Sequence, residues 1–165
     1  MSGARVAFLD RDGTLIDDIG YISDPERVVL LPGVTDALAA LKARGYALAV
    51  VSNQSGIGRG YFGCDQARAV HERVVEELRG AGVELDDAQY CPHAPWDGCD
   101  CRKPLPGLIL RSARVLGADL GRSVMIGNGA VDAEAGRAAG CRTILLEPDD
   151  GWADVVATID AWDGR

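Results

Sequence analysis

Short apolar runs alternate along this chain with segments in which apolar residues recur every three or four positions. The runs predict strands at residues 6–9, 47–51, 88–91, 123–126 and 142–146. The helical spacing predicts helices at residues 34–44, 65–79, 106–116, 132–139 and 154–162, with Asp65 as the N-cap of the second. Because strands and helices alternate, we predict an α/β fold: a three-layer, doubly wound parallel sheet that forms a single domain over residues 1–165.

The composition is that of an ordinary globular domain, and it excludes several classes of partner. The 165 residues are 47% hydrophobic and 25% charged, and the net charge is −8. This acidic balance argues against nucleic acid and anionic membrane as partners. No apolar stretch approaches the roughly 20 residues of a membrane helix, and the first residues lack the apolar segment of a signal peptide. We therefore expect a cytoplasmic protein, with a monomer as the default state.

Polar residues follow four of the predicted strands at the points where the strands end. The four clusters are Asp10 with Asp12, residues 52–56, residues 102–104 and residues 127–132. Because the carboxyl ends of parallel strands lie side by side, we expect these clusters to converge. Carboxylates suit Mg²⁺, while hydroxyl, amide and ammonium groups suit phosphate oxygens. The sequence therefore predicts phosphoryl-transfer chemistry at this edge of the sheet.

Three segments, FLDRDGTLIDD (8–18), VSNQSGIGRG (51–60) and CDCRKP (99–104), resemble the haloacid dehalogenase (HAD) superfamily of phosphatases in residues and order. The resemblance implies the Rossmann-like fold of that superfamily. It also implies that Asp10 is the nucleophile, forming an aspartyl-phosphate, and that Asp12 is the general acid and later the general base.

Further roles follow from the same resemblance. Ser52 would bind the phosphoryl group, and Lys103 would neutralise the charge that gathers around it. The predicted Mg²⁺ ligands are Asp10, Asp12 through its backbone carbonyl, Asn128 and Asp132.

Asn128 departs from the pattern of the family, which has an aspartate at this position. An asparagine offers one neutral oxygen where Mg²⁺ prefers a charged one. Three interpretations stay open. Asn128 binds the metal while Asp132 adds charge; or metal affinity is reduced and the chain is a catalytically weakened phosphate-binding relative; or the residue is altered, for example by deamidation before Gly129.

A cysteine-rich loop spans residues 91–101. Four side chains in it have the donor types of a tetrahedral Zn²⁺ site, namely Cys91, His93, Cys99 and Cys101. Four protein ligands leave no open position, so we predict a structural zinc ion that fixes the loop before Lys103. The alternative is a set of incidental thiols. Cys64 and Cys141 are expected to be small buried side chains, and His71 is expected to lie on a solvated helix face.

The cysteine-rich loop narrows the resemblance to the branch of D-glycero-D-manno-heptose 1,7-bisphosphate 7-phosphatases and histidinol-phosphate phosphatases. Ser55 and Arg59 favour the heptose enzymes, whereas the five-residue interval between His93 and Cys99 favours the histidinol-phosphate enzymes. The candidate substrate-binding residues are Asp18, Tyr21, Asn53, Arg59 and Arg102.

The leading hypothesis is a Mg²⁺-dependent phosphatase of a small phosphorylated sugar. The intervals between the clusters leave no room for a separate cap domain, so we expect an open site. Rivals from other classes are a regulatory protein that binds phosphate without turnover and a zinc-dependent interaction module.

Overall fold

Five parallel strands form one sheet in the computed structural model, which describes residues 2–165. The strands are β1 (Arg5–Leu9), β2 (Tyr46–Asn53), β3 (Asp87–Cys91), β4 (Val124–Gly127) and β5 (Arg142–Leu145). Their order across the sheet is β3-β2-β1-β4-β5, and every neighbouring pair is parallel. The chain thus builds the sheet outward from β1 in one direction and then in the other. This order places a topological switch point between β1 and β4, where open α/β sheets bind ligands.

Six α-helices complete the fold within the described residues: α1 (Val34–Ala43), α2 (Ser55–Gly58), α3 (Cys64–Gly80), α4 (Gly107–Leu116), α5 (Ala130–Ala139) and α6 (Trp152–Trp162). Five of them match predicted helices, and the single turn α2 was not predicted. The predicted N-cap of α3 was wrong. Gly63 holds that position and donates its backbone N–H to Gln66, because the helix begins one residue earlier than predicted and places Asp65 inside its first turn.

Helices cover both faces of the sheet, and each face has its own apolar core. On one side α1, α3 and α6 pack against Ala7, Leu9 and Val50. On the other side α4 and α5 pack against Phe8 and Val51. Alternate residues of β1 therefore enter opposite cores, which explains why its sequence is continuously apolar. The predicted three-layer α/β architecture is confirmed; a single domain over the whole chain stays a prediction.

The strand ends bring the polar clusters to one edge. Leu9 of β1 is in register with Val50 of β2 and Ile126 of β4, and the backbone N–H of Asp10 donates to the carbonyl of Ile126. Asn53, at the end of β2, is in register with Cys91 at the end of β3. Within residues 2–165, none of the helices has the length and apolar character required to cross a membrane.

Candidate active site

A cleft of about 390 Å³ opens at the carboxyl ends of β1, β2 and β4. Nine of the eleven residues predicted for catalysis, substrate or Mg²⁺ line it: Asp10, Asp12, Asp18, Tyr21, Ser52, Asn53, Lys103, Asn128 and Asp132. Gln54 and Ser55, from the start of α2, also line the cleft. Arg59 and Arg102 are the two predicted substrate-binding residues that lie outside this lining.

Lys103 lies at the floor of the cleft and joins two carboxylates. Its ammonium is 2.8 Å from Asp10 Oδ1 and 2.7 Å from Asp132 Oδ1, and it donates to the carbonyl of Val51. Burial raises the pKa of Asp10, and the nearby ammonium only partly opposes this. Burial alone would lower the pKa of Lys103, but the two carboxylates raise it. Lys103 therefore stays a cation at neutral pH.

Asp12 lies beside a second cation and an amide. The guanidinium of Arg11 donates to Asp12 from Nε over 2.8 Å and from Nη2 over 3.4 Å. Gln54 Nε2 donates both to Asp12 Oδ2, over 3.2 Å, and to Ser52 Oγ, over 2.9 Å. Asp12, Gln54 and Ser52 thus form one hydrogen-bonded group that links the ends of β1 and β2.

Asn128 faces the loop that follows β1. Its Oδ1 lies 3.3 Å from the Thr14 hydroxyl, and Oδ2 of Asp10 lies 3.4 Å from the same hydroxyl, so the two acceptors share its single proton. A Cβ at Gly13 would lie 2.2 Å from Asn128 Nδ2, so glycine is required for this close approach. Both oxygens of Asp132 are already engaged, one by Lys103 and the other by the backbone N–H of Gly129.

The oxygen donors at this edge fit a divalent cation. The carboxylates of Asp10, Asp12 and Asp132 outnumber the two cations that contact them, and the carbonyl oxygen of Asn128 completes an oxygen-only set. Which of these residues bind Mg²⁺, and Asp132 in particular, stays a prediction.

The four candidate zinc ligands come together, and their ligand atoms all lie within 4.8 Å of one another. His93 Nδ1 is 3.3 Å from the sulfurs of Cys91 and Cys101, and the sulfurs of Cys91 and Cys99 are 3.9 Å apart. Ligand atoms around tetrahedral Zn²⁺ are separated by about 3.5–3.8 Å, given its usual bond lengths. The cluster therefore fits zinc with little adjustment.

The cysteine-rich loop is attached directly to the cleft. The carbonyl of Cys91 accepts from the backbone N–H of Gln54, and the carbonyl of Pro92 accepts from that of Gly58. A Cβ at Gly58 would lie 2.4 Å from the nitrogen of Ala94, so only glycine permits this contact. Asn53 pairs with both the N–H and the carbonyl of Lys103. The cysteine-rich loop is thus hydrogen-bonded to α2, and Asn53 connects Lys103 to the end of β2.

Exposed aromatic residues surround Arg59 above the cleft. The guanidinium carbon of Arg59 lies 5.1 Å from the ring centre of Trp96 and 5.8 Å from that of Tyr21, and Tyr21 meets Tyr61 edge to face. Trp96 is 70% exposed and belongs to the cysteine-rich loop. We call these four residues, Tyr21, Arg59, Tyr61 and Trp96, the aromatic rim. Tyr61 and Trp96 were missed because single exposed aromatics carry no pattern.

Several interpretations of single residues were wrong or incomplete. His71 is partly buried and bonded to the Tyr90 hydroxyl, rather than solvated, because α3 turns it toward β3. Cys64 is exposed, since it begins α3, whereas Cys141 is buried as expected. Arg11 and Gln54 were missed as site residues, although both stand inside the recognised motifs.

The family model of haloacid dehalogenase-like hydrolases matches residues 18–140. The chain belongs to this hydrolase family. It is 40% identical over 151 residues to a D-glycero-beta-D-manno-heptose-1,7-bisphosphate 7-phosphatase of Rhodopseudomonas palustris, covering 87% of this chain and 84% of the relative.

Solved structures agree with this family assignment. A HAD-like protein from Mesorhizobium loti superposes with a TM-score of 0.87 and is 35% identical, covering 98% of this chain and 88% of that one. The D,D-heptose 1,7-bisphosphate phosphatase of B. bronchiseptica, complexed with magnesium and phosphate, gives a TM-score of 0.86 at 30% identity. That match covers 96% of this chain and 99% of the other. This HAD protein is thus a phosphoric monoester hydrolase of a family that uses Mg²⁺.

Proposed function

We propose that this HAD phosphatase removes the 7-phosphate of D-glycero-β-D-manno-heptose 1,7-bisphosphate through an aspartyl-phosphate. The observation that carries the proposal is the buried contact of Lys103 with Asp10 in a cleft that also holds Asp12 and Ser52. The β anomer follows the names of the relatives.

In the first half-reaction a carboxylate oxygen of Asp10 attacks phosphorus, and the bond from phosphorus to the sugar oxygen breaks. Asp12 donates its proton to the leaving sugar oxygen. In the second half-reaction Asp12 takes a proton from water, which attacks phosphorus and releases Asp10. Ser52 and Lys103 contact the phosphoryl oxygens throughout.

A bound Mg²⁺, held by Asp10, the carbonyl of Asp12 and Asn128, would supply the positive charge that the site lacks. Two unit charges 4 Å apart interact by about 4 kcal/mol at an effective dielectric of 20, so the unpaired carboxylate charge would repel a phosphate strongly. Lys103 and Arg11 together offset only part of this charge.

The far end of the substrate would meet the aromatic rim. Arg59 offers a guanidinium to a second phosphate, and flat rings suit the apolar face of a sugar. Asp18 and Asn53 are proposed to bind sugar hydroxyls. Arg102 remains a proposed contact, reachable only by a substrate that extends past the cleft.

A screen of phosphate release in the presence of Mg²⁺ tests the function. The substrates are β- and α-heptose 1,7-bisphosphate, fructose 1,6-bisphosphate and histidinol phosphate, with Asp10→Asn as the inactive control. We expect the highest kcat/KM for the β-heptose bisphosphate. Histidinol phosphate is the second candidate substrate, because the interval between His93 and Cys99 is short. A higher kcat/KM for histidinol phosphate would overturn the proposal. Release of no phosphate from any of them would favour a phosphate-binding relative.

A further inference from the structure

Arg11 is a buried arginine between the two proposed catalytic aspartates. Only 1% of it is exposed, and its Nη1 has no hydrogen-bond partner. Removing a guanidinium from water costs several kcal/mol, and pairing with one carboxylate rarely recovers that cost. Stability alone therefore does not explain why an arginine rather than an apolar residue occupies this position.

The contacts of Arg11 are directed at Asp12. Two of its nitrogens face the two oxygens of Asp12, at 2.8 and 3.4 Å, so the plane of the guanidinium fixes the plane of the carboxylate. The backbone carbonyl of Arg11 accepts from the N–H groups of Thr14, Leu15 and Ile16, which fixes the turn from which both side chains extend.

Arg11 also contacts an aromatic side chain of β3. The centre of the Tyr90 ring lies 5.4 Å from its guanidinium carbon, and the Tyr90 hydroxyl is 2.5 Å from His71 Nδ1. These contacts connect α3, through β3, to the loop after β1 that carries Asp10 and Asp12. Because Tyr90 is itself bonded to His71, the guanidinium of Arg11 keeps one orientation although its Nη1 has no hydrogen-bond partner.

We propose that Arg11 is a positioning residue, which orients the carboxyl group of Asp12 toward the leaving oxygen, and that Tyr90 and His71 support it. This inference rests on the proposed role of Asp12 as general acid. As the phosphorus–oxygen bond breaks, Asp12 transfers its proton to the departing sugar oxygen, and the electron pair of the broken bond accepts it. A misaligned Asp12 would slow this step for a sugar leaving group. It would also slow the later attack of water, which is common to all substrates, so the two half-reactions must be measured separately.

Substrates with different leaving groups distinguish a positioning role of Arg11 from general damage to the site. A sugar alkoxide needs a proton when it leaves, whereas p-nitrophenolate does not. We expect Arg11→Gln to lower the single-turnover rate of sugar release by about tenfold or more, because general acid catalysis acts in this half-reaction and contributes 10²–10⁴-fold. The pre-steady-state burst of p-nitrophenolate from p-nitrophenyl phosphate reports the same half-reaction without a need for a proton, and we expect its rate to change less than about threefold. Arg11→Lys should show a partial loss, and Tyr90→Phe a smaller one in the same direction.

Two comparisons make the test decisive. Asp12→Asn must show the same selective loss; if it does not, the proposed role of Asp12 fails, and this inference fails with it. If Asp12→Asn is selective while the folded Arg11 variants lose both activities equally, Arg11 has only a structural role and the inference alone is overturned.

Arg44→Gln, which removes a remote arginine–aspartate pair, serves as the control and should leave both activities unchanged. Thermal unfolding identifies any variant that fails to fold, in which case Arg11→Lys and Tyr90→Phe decide.

Discussion

The ammonium of Lys103 lies 2.8 Å from Oδ1 of Asp10, although 93 residues separate them in the sequence. The same ammonium contacts Asp132, and both side chains beside it are almost fully buried. One cation thus holds together the end of β1, the first turn of α5 and the segment that follows the cysteine-rich loop. This arrangement ties the charge balance of the site to the stability of the fold.

We expect Lys103→Met to abolish turnover and also to destabilise the protein by about 3–5 kcal/mol, because it leaves two buried carboxylates without a counter-charge. Adding Asp132→Asn should restore much of the thermal stability while activity stays lost. Lys42→Met, at a surface pair with Asp86, should cost less than about 1 kcal/mol and keep full activity. A double variant that regains activity would contradict the proposed role of Lys103.

The sequence predicted the centre of the sheet because β1, β2 and β4 are buried on both faces and therefore read as continuous apolar runs. It also predicted most of the cleft, since carboxyl-terminal strand ends are the places where parallel sheets bring distant residues together. Cys91 and His93 could be paired with Cys99 and Cys101 because the donor types and spacings are themselves chemical signals.

What the sequence did not reveal depends on long-range packing. The prediction of a solvated His71 rests on its position in mid-helix beside Glu72, and only the position of Tyr90 on β3 shows that it is bonded. Trp96 is separated from Arg59 by α3, β3 and part of the cysteine-rich loop, whose path no periodicity describes. The buried state of Arg11 was equally hidden, since an arginine between two aspartates is usually exposed.

Asn128→Asp tests the departure from the family pattern. A second full charge near the proposed metal site should strengthen Mg²⁺ binding, so we expect the Mg²⁺ concentration for half-maximal activity to fall by about tenfold or more. Without Mg²⁺ the new carboxylate would lie near Asp10, and the melting temperature should drop. Parallel titrations of activity and of melting temperature with Mg²⁺ measure both effects. An unchanged Mg²⁺ requirement and rate would mean that Asn128 is a neutral replacement.

Zinc removal should loosen the loop that carries Trp96 and precedes Lys103. We expect the purified protein to contain about one zinc ion per chain and to lose activity when a strong chelator removes it, even with Mg²⁺ present, because metal binding supplies folding energy to such loops. Cys101→Ser should reproduce the loss, whereas Cys64→Ser, at an exposed cysteine outside the cluster, should not. Zinc content by mass spectrometry and activity are measured together. Full activity in a zinc-free protein would contradict this prediction.

The aromatic rim is expected to bind the far end of the substrate. Trp96→Ala should raise KM for a sugar bisphosphate by about 3- to 10-fold, since contacts of this type contribute about 0.5–2 kcal/mol, and should leave p-nitrophenyl phosphate unaffected. The matched control is Trp162→Ala, which removes a tryptophan whose ring centre also lies 5.1 Å from an arginine, but away from the cleft. Equal effects of the two substitutions on KM would exclude a role for the rim.

His71 makes the stability of the fold depend on pH. Burial, with the nearby charge of Arg11, lowers the pKa of His71 below its usual 6.5, and Glu72 only partly opposes this shift. As the pH falls below about 6.5, the unfolded chain binds a proton there more readily than the folded chain, so stability is lost between that pH and the lower pKa of the folded state. We expect the urea midpoint to fall between pH 7.5 and pH 5.5. In His71→Gln, which keeps an acceptor for Tyr90 but cannot titrate, the fall should be smaller. The difference between the two proteins isolates His71 from His93, which both retain. Equal losses in both would contradict a lowered pKa of His71 in the folded state.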